Sequence, residues 1–238
     1  MLDFLGIGAQ KSGTTWLHQN LVRHPDLFLP PSKELHFWDR RDLLDLAWYE
    51  GNFSGHKHQI CGEITPAYGI LPIEIINEIY KLYPNLRLIY LLRNPIDRAW
   101  SAARMALIRA ELQPGEASDQ WFIDHFQSLG SQSRGDYEAC IRTWRQVFPE
   151  QQLKIIYYDD ICRAPGAVLQ SCCRHLAISP LPQDLLPLAS QRHFAGPPVI
   201  LRDSLNSVLR NLYREKIQSL ESYLDTDLSH WLAEGVYA

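Results

Sequence analysis

The chain has 238 residues and a mass of 27.5 kDa, enough for one domain with a sizeable core. Apolar residues make up 46% of it and charged residues 21%, which excludes disordered, collagenous and low-complexity proteins. The net charge of −4 lacks the basic excess that nucleic-acid binders usually carry, so we expect no nucleic-acid partner.

Cysteine content and hydropathy predict a protein of a reducing compartment. The five cysteines are an odd number, and no C-x-x-C pair is present to indicate a disulfide framework or a zinc site. The sequence has no basic and then apolar leader, and no run of about 18 apolar residues. We therefore expect a cytoplasmic protein with reduced thiols, no bound metal and no membrane span.

Strand-like and helix-like segments alternate along the chain. Strands are predicted over Leu2–Gly8, Gln59–Glu63, Leu86–Leu92 and Leu153–Tyr158. Helices are predicted from Thr14 and over Pro72–Tyr83, Pro95–Ile108, Tyr137–Phe148 and Ser204–Leu224. The alternation predicts an α/β protein with three layers, in which a central, mainly parallel sheet has helices on both faces. No linker interrupts the pattern, so we expect a single domain over residues 1–238.

Two stretches lack a clear period. Glu111–Arg134 has weak periodicity and several Gly, Ser and Gln residues, which indicates a loop or an irregular helical insertion, with a lid as one interpretation. Ile178–Pro198 is rich in proline and is predicted to be irregular.

A glycine-rich loop joins the first strand to the first helix. The separation of Gly8 and Gly13, and the hydroxyl of Thr15, match the P-loop pattern G-x-x-x-x-G-K-[ST], so a P-loop-like fold with a phosphate seat is expected. The P-loop lysine is missing, because Thr14 stands at its position and Lys11 lies inside the loop instead.

The misplaced lysine leaves two alternatives open besides a transferase. A kinase or nucleoside triphosphatase would need a lysine on the phosphates and an acidic Mg²⁺ ligand at a strand end, for which Glu63 or Asp159 is available. A non-catalytic nucleotide-binding protein would need neither.

Two motifs resemble those of the sulfotransferases that use 3′-phosphoadenosine 5′-phosphosulfate (PAPS). Gln10–Trp16, QKSGTTW, is similar to the loop that binds the 5′-phosphosulfate, and Arg93 and Ser101 have the spacing of the pair that binds the 3′-phosphate. The resemblance implies PAPS as cofactor and adenosine 3′,5′-bisphosphate as product. It implies a 5′-phosphosulfate site made of Lys11, Ser12, Gly13, Thr14 and Thr15.

The loop most resembles the cytosolic branch of that family. This likeness implies that Trp16 stacks on the adenine and that Tyr158 reaches the base. The family also completes its 3′-phosphate site with a loop near the C-terminus, for which Arg192 in Ser190–His193 is the candidate.

A third motif resembles the heparan-sulfate and related bacterial branch. Ser32–Asp39, SKELHFWD, is similar to its K-E-x-H-F-F-D segment, which implies that Glu34 is the general base. A neutral hydroxyl or amine must lose a proton as it attacks sulfur, and a carboxylate suits that task; the imidazole of His36 is the other candidate. The predicted acceptor-side residues are Glu34, His36, Trp38, Asp39 and Thr65.

These motifs predict in-line sulfuryl transfer to a small metabolite, a glycan or a glycolipid. Lys11 would neutralise the leaving phosphate in place of Mg²⁺, so no metal is expected. The heparan branch often has a lysine where Ile64 stands, which weakens the case for a sulfated polysaccharide. With no membrane anchor apparent, a bacterial-type enzyme is expected.

Overall fold

Five parallel strands form the centre of the fold. The structure is a computed structural model that describes residues 2–112, 115–190 and 201–233. The strands are β1 (Phe4–Gly8), β2 (Leu27–Phe28), β3 (Ile60–Ile64), β4 (Arg87–Leu92) and β5 (Leu153–Tyr157). Their order is β2-β3-β1-β4-β5, and each pairing is parallel. The predicted α/β class is confirmed.

Ten α-helices occur in the described part of the chain. They are α1 (Thr14–Leu21), α2 (Leu46–Gly51), α3 (Ile73–Leu82), α4 (Pro95–Arg109), α5 (Asp119–Gln127), α6 (Leu129–Gly135), α7 (Tyr137–Arg145), α8 (Tyr158–Arg163), α9 (Pro165–Leu176) and α10 (Asp203–Leu224). The predicted elements agree within about three residues, although the sequence pattern did not indicate β2, α2, α8 or α9.

The central strands are covered on both faces. All of β1 is buried, and in β4 only Arg87 is partly exposed, as expected for a parallel sheet between helical layers. Ile89 and Leu91, which point to one face of β4, pack in a cluster with Leu17 of α1 and Leu169 of α9. The apolar run of β4 therefore reflects burial on two sides.

Gly62 of β3 fixes how closely the neighbouring strand packs. A Cβ at this position would lie 2.3 Å from the Phe4 ring, which is fully buried. We expect Gly62→Ala to lower the free energy of unfolding by about 1–3 kcal/mol, the usual cost of overpacking. The control is Gly51→Ala, where a Cβ would meet no atom within 4 Å. Equal urea midpoints for the two variants would contradict this account.

The segment Glu111–Arg134, expected to be a loop or an irregular helical insertion, contains two regular helices. Ser118 accepts a hydrogen bond from the Trp121 amide and begins α5, and Ser128 accepts one from the Ser131 amide and begins α6. Phe122, one of the buried residues of α5, packs with its ring centroid 5.2 Å from that of Trp100. The serines that weakened the periodicity are helix caps.

Residues 178–190 agree better with the expectation of irregular structure. They hold a short 3₁₀ turn, Leu186–Ser190, and the rest of the predicted irregular segment lies outside the described residues.

The described residues group into two compact units. The first contains those of Met1–Leu92 and Thr143–Phe194, including the whole sheet, and the second contains those of Arg93–Arg142 and Ala195–Ala238. The single domain over residues 1–238 stays a prediction. No helix in the described ranges is both long enough and apolar enough to cross a membrane.

Candidate active site

The loop after β1 has the geometry of an anion seat. Lys11 and Gly13 adopt positive φ angles of 69° and 96°, so the backbone turns sharply before α1. The loop is anchored to the sheet because the Ala9 amide donates to the Leu91 carbonyl at 2.8 Å. In the described part of the chain, no side-chain cap hydrogen bond is formed at Gly13, the N-cap of α1, and uncapped amides in the first turn of a helix suit an anionic ligand.

Two hydroxyls of this loop are buried. Ser12 is 0% exposed, and its Oγ has no hydrogen-bond partner among the residues that the structure describes. Thr14 is also buried, and its Oγ1 accepts a hydrogen bond from Lys33 Nζ at 3.5 Å. A buried hydroxyl that lacks a partner costs free energy unless a ligand or water meets it. The loop therefore fits a phosphate or sulfate group.

A chain of charged side chains continues from this loop. Lys33 Nζ lies 2.5 Å from Glu34 Oε1, and the other carboxylate oxygen of Glu34 lies 3.3 Å from His36 Nε2. His36 Nδ1 lies 2.9 Å from Asp39 Oδ2. Glu34 keeps 37% of its side chain exposed, so a substrate can reach it. The three residues of the acceptor-side motif are thus in contact and are linked to the phosphate loop through Lys33.

His18 belongs to the same surroundings, which the sequence did not indicate. It lies one turn after Thr14 on α1, close enough to Lys33 and Glu34 to feel both charges. Burial lowers the pKa of the His18 imidazole, Lys33 lowers it further, and Glu34 acts in the opposite direction. In the sequence, the indication that His18 lies near the loop is its spacing of four residues from Thr14, which places both on one helix face.

Glu63, considered above as a Mg²⁺ ligand, is not available for that role. It is 0% exposed, and both of its carboxylate oxygens accept hydrogen bonds from protein groups. Thr65, one of its donors, is also fully buried, and Trp38 is 1% exposed. The acceptor contacts expected of Thr65 and Trp38 stay predictions.

The two aromatic residues expected to contact the adenine, Trp16 and Tyr158, both lie in the first unit. Trp16 is 7% exposed, and its indole N–H donates to the Ala189 carbonyl at 2.7 Å. Tyr158 is partly buried at the start of α8, and a Cβ on Gly13 would lie 3.3 Å from its ring. Tyr158 thus borders the loop, and the stacking role of Trp16 stays a prediction.

The second unit carries the other motif. Arg93 follows β4 directly, its carbonyl accepts a hydrogen bond from the Tyr137 hydroxyl at 2.8 Å, and Ser101 is partly exposed on α4. Arg104, which the sequence did not indicate, lies near Arg93. Burial lowers the pKa of its guanidinium, and repulsion from Arg93 lowers this pKa further. Arg104 stands three residues after Ser101, a spacing that places both on one helix face. Arg192 lies outside the described residues.

The chain matches a known family over most of its length. A family model described as "Sulfotransferase domain" matches residues 2–227. The chain belongs to the sulfotransferase family.

Solved structures have the same fold as this sulfotransferase. A sulfotransferase from Alicyclobacillus acidocaldarius is 26% identical, with a TM-score of 0.78 over 98% of this chain and 99% of that chain. A mouse sulfotransferase, SULT7A1, complexed with PAP, is 16% identical, with a TM-score of 0.62 over 94% of this chain and 88% of that chain. The second likeness shows the fold alone.

Curated relatives are longer than this sulfotransferase. The mouse heparan sulfate glucosamine 3-O-sulfotransferase 5 is 27% identical over 184 residues, which is 73% of this chain and 53% of the relative. The chain spans smaller shares, 32% and 23%, of two other curated sulfotransferases that it matches.

Proposed function

We propose that this sulfotransferase transfers a sulfuryl group from PAPS to a hydroxyl or amine of a small metabolite or glycan. The observation that carries the proposal is the continuous contact from the phosphate loop through Lys33 to Glu34 and His36. It links an anion seat to an exposed carboxylate–imidazole pair. Such a pair is what an acceptor needs in order to lose a proton beside the group that it attacks.

The loop residues fit the 5′-phosphosulfate. Lys11 carries the cation, Ser12 has a buried hydroxyl, and the first turn of α1 presents amides. When bound, PAPS supplies a sulfuryl group on a good leaving phosphate. Lys11 neutralises the negative charge that grows on the bridging oxygen as the S–O bond breaks. Thr14 and Thr15 add hydroxyls at the helix start.

Glu34 takes the proton of the acceptor. The acceptor oxygen or nitrogen forms the new bond to sulfur, and adenosine 3′,5′-bisphosphate leaves with the electron pair of the broken S–O bond. His36 contacts Glu34 on one side and Asp39 on the other, so Asp39 orients the imidazole and the imidazole orients the base. His36 itself is the alternative base.

No metal takes part in this proposal, because Lys11 supplies the positive charge that Mg²⁺ supplies to nucleoside triphosphatases. The test of the proposed transfer uses sulfur-35-labelled PAPS, EDTA and one acceptor at a time. The acceptors are p-nitrophenol, a primary amine and a disaccharide. Label transfer to at least one acceptor is expected. Transfer from labelled ATP that needs Mg²⁺, with none from PAPS, would overturn it.

The acceptor is expected to be neutral or cationic rather than a sulfated polysaccharide. Ile64, where the heparan-type branch often has lysine, is buried in the core of the sheet, so that cation is absent at this position. A sulfotransferase of bacterial type and a cytoplasmic location belong to the same proposal.

Arg93 and Ser101 are assigned to the 3′-phosphate from their motif spacing. Arg93→Ala should weaken adenosine 3′,5′-bisphosphate binding about 10- to 100-fold, the scale of charge-assisted hydrogen bonds, and leave adenosine 5′-phosphate binding unchanged. Arg109→Ala, an exposed arginine at the end of α4, is the control. Calorimetry that finds equal losses for the two nucleotides would show that Arg93 does not bind the 3′-phosphate.

A further inference from the structure

The buried carboxylate of Glu63 has an unusual set of partners. Oε1 accepts hydrogen bonds from the hydroxyls of Tyr49 at 2.9 Å and Tyr68 at 2.8 Å. Oε2 accepts from the Thr65 hydroxyl at 2.6 Å and from the Leu35 amide at 3.3 Å. The four donors come from three separate parts of the first unit.

Stability alone does not account for a carboxylate at this place. Within the described residues, no ion pair is formed by Glu63, and burial raises the pKa of its carboxyl while the four donors act to lower it. Burying a carboxylate that has no cationic partner costs desolvation free energy, and its four hydrogen bonds offset a cost that an apolar residue would not incur. The arrangement therefore calls for a reason connected with what Glu63 holds.

The segment that Glu63 holds contains the candidate base. Leu35 donates its amide to Glu63 and also to Thr65 Oγ1 at 3.1 Å. The Tyr68 hydroxyl, which donates to Glu63, accepts from the amides of Phe37 at 3.0 Å and Trp38 at 3.4 Å. The carboxylate thus binds the backbone on either side of His36, directly or through one hydroxyl.

His36 needs such support because its backbone is in the left-handed region. Its φ angle is 52°, which residues other than glycine adopt at a cost of about 1 kcal/mol or more. The Tyr49 ring also stacks on Phe37, with centroids 4.3 Å apart and planes at 10°. We call Tyr49, Glu63, Thr65 and Tyr68 the Glu63 cluster. Its hydrogen bonds and ring contact hold the turn that brings His36 back to Glu34.

We propose that Glu63 is a positioning residue, whose carboxylate holds Leu35–Trp38 so that His36 and Glu34 keep the contact the reaction uses. The inference rests on the proposed function for its catalytic meaning. It assigns a task to a carboxylate that does not itself reach the surface or the reacting atoms.

Glu63→Gln is a sharp test because glutamine matches the shape but cannot accept at both ends. Its NH₂ group must face either the Leu35 amide or the Tyr68 hydroxyl. The amide is a fixed donor, and the hydroxyl already accepts from two amides, so neither can turn to accept. The variant therefore loosens the segment without creating a cavity.

We expect Glu63→Gln to lower kcat about 10- to 100-fold, the scale for a misplaced catalytic group, with little change in KM for PAPS. The ring cross-peak of His36 in a carbon-13 histidine spectrum should move. Binding of adenosine 3′,5′-bisphosphate should stay within about twofold, because the substitution removes no contact of the phosphate loop.

The matched control is Glu50→Gln, which alters another tyrosine–glutamate hydrogen bond of the same unit. Glu50 accepts from the Tyr83 hydroxyl at 2.9 Å and is exposed. This control should leave kcat and the His36 cross-peak unchanged. If Glu63→Gln does not fold, Tyr49→Phe is the second variant, because it removes one donor and keeps the ring stacked on Phe37. It should lower kcat and move the His36 cross-peak, both by less than Glu63→Gln.

An unmoved His36 cross-peak with unchanged kcat in a folded Glu63→Gln protein would overturn the positioning role. Failure of the proposed function has a different signature, because the wild type would then not bind adenosine 3′,5′-bisphosphate or turn over PAPS. In that case the histidine spectrum still decides whether Glu63 positions the segment.

Discussion

Lys11→Ala is expected to lower turnover about 10²- to 10³-fold, the cost of removing one preorganised donor from developing negative charge. Lys11 lies inside the loop between β1 and α1, and its φ of 69° belongs to the turn that directs the loop. The substitution removes the ammonium but leaves Gly13 and the helix amides in place. Binding of adenosine 3′,5′-bisphosphate should fall much less than kcat.

The measurement for this first variant is the initial rate with labelled PAPS and the best acceptor of the panel. Lys57→Ala serves as the control, because Lys57 is an exposed lysine of the same unit outside the loop. Near-normal turnover of Lys11→Ala would exclude Lys11 from the chemical step and would reopen the question of metal dependence.

Glu34→Gln is expected to reduce kcat by about 10²- to 10⁴-fold, the usual contribution of a general base. Glutamine keeps the size of the side chain and cannot take the proton. The loop residues are untouched, so adenosine 3′,5′-bisphosphate should bind as it does to the wild type. Glu74→Gln, at an exposed position on α3, is the control.

His36→Ala distinguishes the two candidate bases. If Glu34 is the base, this variant should lose less activity than Glu34→Gln, because the imidazole then only orients the carboxylate through their 3.3 Å contact. The pH dependence of kcat for both variants gives a second readout. A large loss in His36→Ala with near-normal Glu34→Gln would make the imidazole the base.

The sheet and the phosphate loop can be predicted from the sequence because their signals are local. The apolar run of β4 follows from burial on both faces, and the glycines before α1 mark a turn with positive φ. The spacing of Glu34, His36 and Asp39 likewise keeps all three within one short segment, where the structure brings them into contact.

Other features escape the sequence because they depend on distant residues. The hydroxyls at positions 49, 65 and 68 satisfy the buried carboxylate of Glu63, and no local pattern shows that they converge. His18 on α1 lies near Lys33 and Glu34 of a later loop, a contact between two elements that no local pattern shows. The regularity of α5 and α6, in a segment predicted to be a loop or an irregular helical insertion, escaped for a different reason, since serine caps resemble loop composition.

We propose that the phosphate loop serves a nucleotide of the PAPS type. Calorimetric titration of the wild-type chain with adenosine 3′,5′-bisphosphate, and in parallel with ATP and Mg²⁺, tests it most directly. We predict tight binding of the bisphosphate and weak binding of ATP. The reverse preference would contradict the account and would assign the loop to a phosphotransferase instead.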